Sequence, residues 1–346
     1  MTMKLIDDFK NNHLWGLFRY VVLFVLAMTA FAIVLLLAGR DPIQGYKDIF
    51  SNTLGSWYGF SEVLVKFIPL ALAGVAVAIP SKIGLINVGA EGQIYMGAWL
   101  SSWAALTFTN FPGWLLIPIM LICGFFGGGI WAAIAGYMRA KGWVNETIST
   151  LLMNYIAILF VNLFIFGPWK EPMSSNFPQS PLFVDAARLP QFFGSRVHLG
   201  LVFAIIIIPL FSFFISKTKW GLEMRSIGSN SEAARRLGIP IFKYVILIML
   251  IGGGIAGIAG MSEVSAINGR LRPSISTGFG FTGFLISWLA NGNPWGILMM
   301  SFVLAVFSTG GDILQITQGL PYSVVNILMA LILFMVLARQ SLKGKK

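Results

Sequence analysis

Three clusters carry charged or hydrogen-bonding groups into stretches of chain that are otherwise apolar. The first runs from Gly221 to Ile239, where Glu223, Arg225, Glu232, Arg235 and Arg236 stand between two long oily segments. Guanidinium groups pair with carboxylates through two parallel hydrogen bonds, so this island has the chemistry of a docking surface. A solvated loop is the plainer alternative. The second cluster is Asn87, Glu91 and Gln93. A carboxylate inside an apolar segment costs a few kcal/mol or more unless it faces water or a partner. These three residues can line a translocation path or gate, or anchor a broken helix to a neighbour, with Lys66 as a candidate partner for Glu91. The third joins Asn154 and Asn162, which fall on nearly one face of a helix, with Phe279, Phe281 and Phe284. Carboxamides of this kind can bind a polar solute or a neighbouring helix. The rings can stack on a planar base, or pack and face lipid.

None of these groups is set up to make or break bonds. His13 and His198 lie in a tail and at a segment boundary, with no His-x-x-x-His, paired aspartates or Ser/His/Asp set. No Gly-x-x-x-x-Gly-Lys-[Ser/Thr] stretch exists to cradle a nucleotide phosphate. Cys123 is the only cysteine, so an internal disulfide is excluded and a thiolate zinc site has no second sulfur. No catalytic residues, metal or cofactor are expected.

The elements that must position the clusters are membrane spans. The chain is 57% hydrophobic and only 11% charged, against about 25% charged in soluble domains, and its mean hydropathy is +0.80. Tyr20–Gly39 is too long for a signal core and is read as a span, with no cleavable leader expected. Ten apolar segments follow one another through one domain, 1–346: Tyr20–Gly39, Phe60–Ile79, Gly84–Phe108, Trp114–Tyr137, Thr147–Phe166, Leu199–Ser216, Tyr244–Met261, Gly278–Ala290, Trp295–Gly311 and Tyr322–Ala338. The expected fold is an all-α integral membrane protein of about ten transmembrane helices. Gly84–Phe108 and Gly278–Ala290 are glycine-interrupted, and the second is short of the ~20 residues a crossing needs.

Ten spans put both termini on one side. That side collects sixteen Lys and Arg against seven on the other, with Lys66 left inside a span. By the positive-inside bias both termini and the 217–243 island are cytoplasmic, and the 168–197 segment is external. The same basic residues account for the net charge of +11, and nucleic acid is not an expected partner. An inner symmetry is also present. Asn110-Phe-Pro-Gly-Trp114 and Asn293-Pro-Trp-Gly296 each open an apolar run that ends in glycines, and Pro112/Pro294 and Gly128/Gly310 are both 182 positions apart. With the topology above this is an inverted repeat, an arrangement that places a pathway at the repeat interface. Within the island, Ser229, Asn230 or Ser231 can cap a short helix that Gly238 ends.

At these residues the chain resembles a known family. Gly228-x-Asn230-x-x-Ala233-Ala234-x-x-x-Gly238-Ile239 is similar to the cytoplasmic coupling loop of bacterial ATP-binding cassette importer permeases of the branched-chain amino acid and ribose class. Asn87-x-Gly89-x-Glu91-Gly92-Gln93 resembles the signature of that class's nucleoside or simple-sugar branch, and Gly278-Phe-Gly-Phe-Thr-Gly283 and Asn291-Gly-Asn-Pro294 also match it. The resemblance covers about residues 60–338. Thr282 stands where relatives often carry an acid, which puts any role of that position in doubt. The resemblance implies a permease of the bacterial cytoplasmic membrane, paired with a second homologous permease. It also implies a separate ATP-binding cassette ATPase on the cytoplasmic side, an extracytoplasmic substrate-binding lipoprotein and a surround of membrane lipid. It gives the coupling role to Gly228, Asn230, Ala233, Ala234 and Gly238, beside Arg235 of the same island.

The function expected is inward movement of nucleosides or similar small polar solutes by alternating access. Asn87, Glu91, Gln93, Asn154 and Phe281 are the path or gate candidates. Import of sugars or riboflavin in the same class is the alternative, and an ion-driven secondary transporter is the rival from another class. Glu91, nearly alone as a buried acid, argues against the rival.

Overall fold

A computed structural model describes residues 13–173 and 177–321, together with Ser323, Asn326, Ile327, Ala330 and Leu331. The apolar segment Tyr322–Ala338 and the basic tails with Lys4, Lys10, Lys343, Lys345 and Lys346 lie wholly or almost wholly outside the described residues. The described residues form helices and connecting turns, with no strand beyond a lone bridge between Gln191 and His198. Among the described residues, six helices are long and apolar enough to cross a membrane: Trp57–Ser81, Gly113–Ala140, Glu146–Phe166, Gly200–Lys217, Ile241–Asn268 and Pro294–Gln318. Two shorter apolar stretches, Met28–Leu37 and Phe279–Leu289, accompany them.

The chain divides into two compact units, residues 1–63 with 303–346, and residues 64–302. In the first, α1 (His13–Leu37) is followed by α2 (Pro42–Thr53). Asp41 starts α2 by accepting the Ile43 amide at 2.8 Å, and Pro42 presets the first turn. Hydropathy gives no sign of this helix, because α2 is too polar and short to register as a span. Its Gly45, Ile49 and Thr53 are one turn apart and buried. Phe31, Leu35, Ile49, Phe307, Leu314 and Leu320 form the core of this unit.

The second unit holds most of α3 (Trp57–Ser81), then α4 (Ala90–Thr107), α5 (Gly113–Ala140), α6 (Glu146–Phe166), α7 (Gly200–Lys217), α8 (Lys219–Ser229), α9 (Ser231–Arg236), α10 (Ile241–Ser262), α11 (Phe279–Leu289) and the start of α12 (Pro294–Gln318). Helices α4, α5 and α10 make its most extensive contacts. They approach so closely because glycines meet glycines: a Cβ on Gly97 would overlap Gly257, and one on Gly257 would overlap the Gly124 carbonyl. In hydrocarbon, where lipid tails are as apolar as leucine, such close backbone approach is what holds helices together.

Past α10 the chain makes one widened turn, Glu263–Asn268. Segment 168–197 folds onto it. The Ser180 and Phe183 amides donate to the Leu271 and Gly269 carbonyls at 2.8 and 2.9 Å, the Leu189 amide donates to Ser265 Oγ at 3.0 Å, and Arg270 pairs with Glu171 at 3.0 Å. Two stretches that charge had assigned to one side of the membrane therefore pack together. Glu263 is itself buried, within electrostatic range of Arg196, Arg272 and Lys66.

Candidate functional site

The Asn87–Gln93 stretch opens as a non-helical turn, and α4 begins only at Ala90. Asn87 and Gln93, both buried, close a reciprocal pair of carboxamides. Asn87 Nδ2 donates to Gln93 Oε1 at 3.1 Å and Gln93 Nε2 returns a bond to Asn87 Oδ1 at 2.9 Å. The same Asn87 oxygen accepts the Gly89 amide at 3.0 Å. Each carboxamide is therefore the other's donor and acceptor.

A ladder on α6 holds the outer edge of this turn. Glu146, Thr150 and Asn154 follow one another at four-residue steps, so they share a face. The Ile86 amide donates to Glu146 Oε1 at 3.4 Å and the Val88 amide to Thr150 Oγ1 at 3.2 Å. Asn154 clamps both directions at once, accepting from the Gly92 amide at 2.8 Å and donating to the Val88 carbonyl at 2.9 Å. Arg139 completes the set with a 2.8 Å ion pair to Glu146. Sequence reasoning found Asn154 but missed Glu146 and Thr150. The signal was there as three polar residues at a four-residue spacing on an otherwise apolar helix. Asn162 does not join them, and its Oδ1 is buried with no partner among the described residues.

Glu91 sits in the first turn of α4 and is 3% exposed. Its Oε2 accepts the Gly280 amide, in the first turn of α11, at 2.7 Å. Ser276 Oγ and the backbone of Gly278 and Phe281 also face this carboxylate. A Cβ on Gly280 would overlap the Glu91 backbone, so only glycine lets the two helix starts touch. Helix N-termini carry partial positive charge and unsatisfied amides, and one buried carboxylate serves both. Lys66, offered by the sequence as a partner for Glu91, lies instead in range of Glu263. Glu91 is also not nearly alone as a buried acid, since Glu146 and Glu263 are similarly enclosed. Phe281 follows Gly280 on α11 and is 38% exposed.

The island is two helices. Thr218 caps α8 by accepting the Gly221 amide at 3.1 Å, and Asn230 caps α9 by accepting the Ala233 amide at 3.0 Å. Gly238, at φ +80°, ends α9 in the left-handed conformation that glycine adopts freely. Met224 and Ile227 of α8 are buried, Tyr244 donates to Glu223, and Arg225 donates to the Ile215 carbonyl. Ala234 is 1% exposed, turned into its own chain rather than outward. Ala233, Arg235, Arg236 and Leu237 are on the surface. Arg235 and Arg236 face the exposed Glu232 oxygens at 3.7 and 3.6 Å, contacts worth little in water.

The island touches the turn. Gly228 packs just past the end of α3, where a Cβ would collide with the Lys82 carbonyl. Lys82 and Ile83 lead directly toward Asn87. Burial moves the Lys82 ammonium below its ordinary pKa. Of the residues singled out in the sequence, Asn87, Glu91, Gln93 and Asn154 thus gather around one turn and the start of α4. Gly228, Asn230, Ala233, Ala234, Arg235 and Gly238 form a second group that abuts it through Gly228.

Comparison with known proteins gives this geometry its family. Residues 59–337 match the family model described as branched-chain amino acid transport system / permease component. The chain is 35% identical to the glucose ABC transporter permease protein TsgB13 of Haloferax volcanii, over 98% of this chain and 92% of that protein. It is 31% identical to the nucleoside ABC transporter permease protein NupB of Lactococcus lactis, over 88% and 86%, and 29% identical to the guanosine ABC transporter permease protein NupP of Bacillus subtilis, over 93% of each. With most of its length matched by one family model and nearly all of it by a permease at 35% identity, the chain belongs to the family of branched-chain amino acid transport system permease components.

Proposed function

We propose that this chain is the transmembrane subunit of an ATP-binding cassette importer that moves nucleosides inward by alternating access. The observation that carries the reading is the contact of Gly228 with the Lys82 backbone. It joins a surface bearing exposed guanidinium groups to the turn that leads into α4, whose Glu91 bonds the start of α11. An ATPase gripping Arg235, Arg236 and Leu237 on the cytoplasmic side would bias α8 and α9 between two positions. The turn at 82–89 would move with them. Such a partner shifts the equilibrium only by as much as it binds one state better than the other.

About ten spans, cytoplasmic termini and an inverted repeat belong to the same reading. In support, α4 and α11 each follow an irregular stretch, and each is followed by a long helix that begins at a proline boundary, Pro112 and Pro294. Half-helices whose N-termini meet beside the pathway are a recurring transporter device. A second homologous permease, a delivering lipoprotein outside and the cytoplasmic membrane complete the assembly. ATP hydrolysis is assigned to the partner chain.

A sugar is the second reading for the cargo, favoured by the likeness to the glucose permease. The test is uptake into proteoliposomes holding this chain with its cognate ATPase, second permease and lipoprotein. ATP-dependent accumulation of adenosine or guanosine, insensitive to an ionophore, is expected. Accumulation by this chain alone, abolished by an ionophore, would overturn the importer assignment; glucose uptake without nucleoside uptake would overturn the cargo.

A further inference from the structure

A cleft of about 280 Å³ opens beside the signature turn, between the end of α3, the stretch Leu85–Asn87 and the last two turns of α11. It is just below the size range of small-molecule pockets, about 300–1,000 Å³. Its aromatic wall is Phe284 and Trp288, set edge-to-face with centroids 5.5 Å apart, and Trp288 is 51% exposed. Its polar edge is Ser81 and Asn291. The Ser81 hydroxyl donates to the Ala78 carbonyl at 2.7 Å, which leaves its lone pairs free to accept. Asn291 is exposed, at the rim of the cleft. The residue is held at φ +49°, a left-handed geometry that asparagine tolerates better than most side chains. The Lys82 ammonium reaches the same rim, 3.0 Å from where a Cβ on Gly292 would stand.

We propose that this cleft is a solute subsite for a nucleoside, with the base stacked on Trp288 and the polar edge of the solute bound by Asn291, Ser81 and Lys82. An indole face accepts any heteroaromatic ring. A carboxamide offers a donor and an acceptor side by side, the pattern that matches the adenine edge. A sugar alone would use the polar edge but give the Trp288 face less to stack on. The rim is also mechanically placed. Ser81 and Lys82 belong to the segment on which Gly228 packs, so displacement of the island reshapes the cleft directly. Of the three rings the sequence offered for stacking, Phe284 lines the cleft, joined by Trp288, whereas Phe279 and Phe281 are not part of its wall.

This inference rests on the nucleoside reading, so the experiment separates the two. Full-length protein in lipid nanodiscs is photolabelled with 8-azidoadenosine and the labelled peptide is mapped, while the assembled transporter is assayed for adenosine and glucose uptake. Label is expected on the peptide spanning 284–292, displaced by adenosine and not by glucose. Trp288→Ala should lower it on the order of tenfold, the loss of one base–aromatic stack, while Trp288→Phe keeps most of it and controls for folding. Adenosine uptake together with Trp288→Ala labelled at the wild-type level, or label mapping elsewhere, would overturn the subsite alone. Uptake of glucose and not adenosine would overturn the cargo reading and this inference with it.

Discussion

The Glu91 carboxylate accepts the Gly280 amide at 2.7 Å across 189 residues of sequence. Two half-helices that begin far apart in the chain thereby share one buried carboxylate. The bond explains why an acid survives in an apolar segment, since the start of α11 offers it amides in place of water. Removing the acid leaves the Gly280 amide without an acceptor. Glu91→Ala should therefore destabilise the protein by about 1–3 kcal/mol, the cost of a buried unsatisfied donor. Glu91→Gln keeps an acceptor oxygen and should lose less. Thermal unfolding in detergent checks the order, and an Ala variant as stable as wild type would remove Glu91 from the architecture.

The proposed function divides the island into a transmitting part at Gly228 and a gripping part at the exposed arginines. Gly228→Val cannot keep its contact with the Lys82 carbonyl, so the island must lift away from the turn. Uptake should fall while the ATPase still co-purifies. Reversing Arg235 and Arg236 to glutamate should do the opposite, weakening ATPase association on the order of tenfold with the permease still folded. Ala234→Arg is a poor probe of docking, since that side chain is buried in its own chain and a large replacement disrupts the island first. Loss of ATPase binding in Gly228→Val with normal binding in the arginine variant would reverse these assignments.

Residue type was the legible part of this site. The motif Asn87-x-Gly-x-Glu-Gly-Gln combines small residues that permit close approach with polar groups that need partners, and the structure gives each of those polar groups one. The breaks before α4 and α11 were legible from glycines, and the caps of α9 from Asn230 and Gly238. Partnership was not legible. Lys66 looked available to Glu91 because both interrupt apolar runs, but register along two helices decides such pairs and a single sequence does not encode it openly. Glu146 and Thr150 were visible as polar residues at a four-residue spacing, but their partners exist only once residues 86–92 lie along α6. Hydropathy read α4 and α11 as spans, yet neither is among the six helices long and apolar enough to cross alone. Each apolar segment begins in non-helical backbone, so the helix within it is shorter than the run that announced it.

The α6 ladder makes a graded prediction. Asn154 makes two bonds to the turn, and Thr150 makes one while also donating to the Glu146 carbonyl at 2.7 Å. Asn154→Leu leaves a buried amide and a buried carbonyl without partners, and should cost more than Thr150→Val, which orphans one amide. Roughly 1–3 kcal/mol per orphaned group is expected. Amide hydrogen exchange of residues 86–93 should quicken in that order. Unchanged exchange in Asn154→Leu would show that the turn is held by the Asn87–Gln93 pair alone.

His198 gives the segment ahead of α7 a pH dependence of defined sign. The residue is fully buried, and its Nδ1 accepts the Gly200 amide at 3.2 Å. An accepting Nδ1 requires the neutral ring with its proton on Nε2. Burial, and secondarily the Arg196 charge, lower its pKa from 6.5 to about 4. The unfolded chain therefore binds the proton more readily than the folded one between those values. Stability from this group is complete above about pH 6.5 and declines as pH falls toward 4, by about 3 kcal/mol at most through proton linkage. The carboxylates of the chain also titrate at the lower end of that window, so the diagnostic quantity is a difference between proteins. His198→Gln keeps a polar side chain that does not titrate. Melting temperature should fall more steeply in wild type than in His198→Gln between about pH 6.5 and 5, and parallel curves would show that the imidazole is protonated in the folded state without cost.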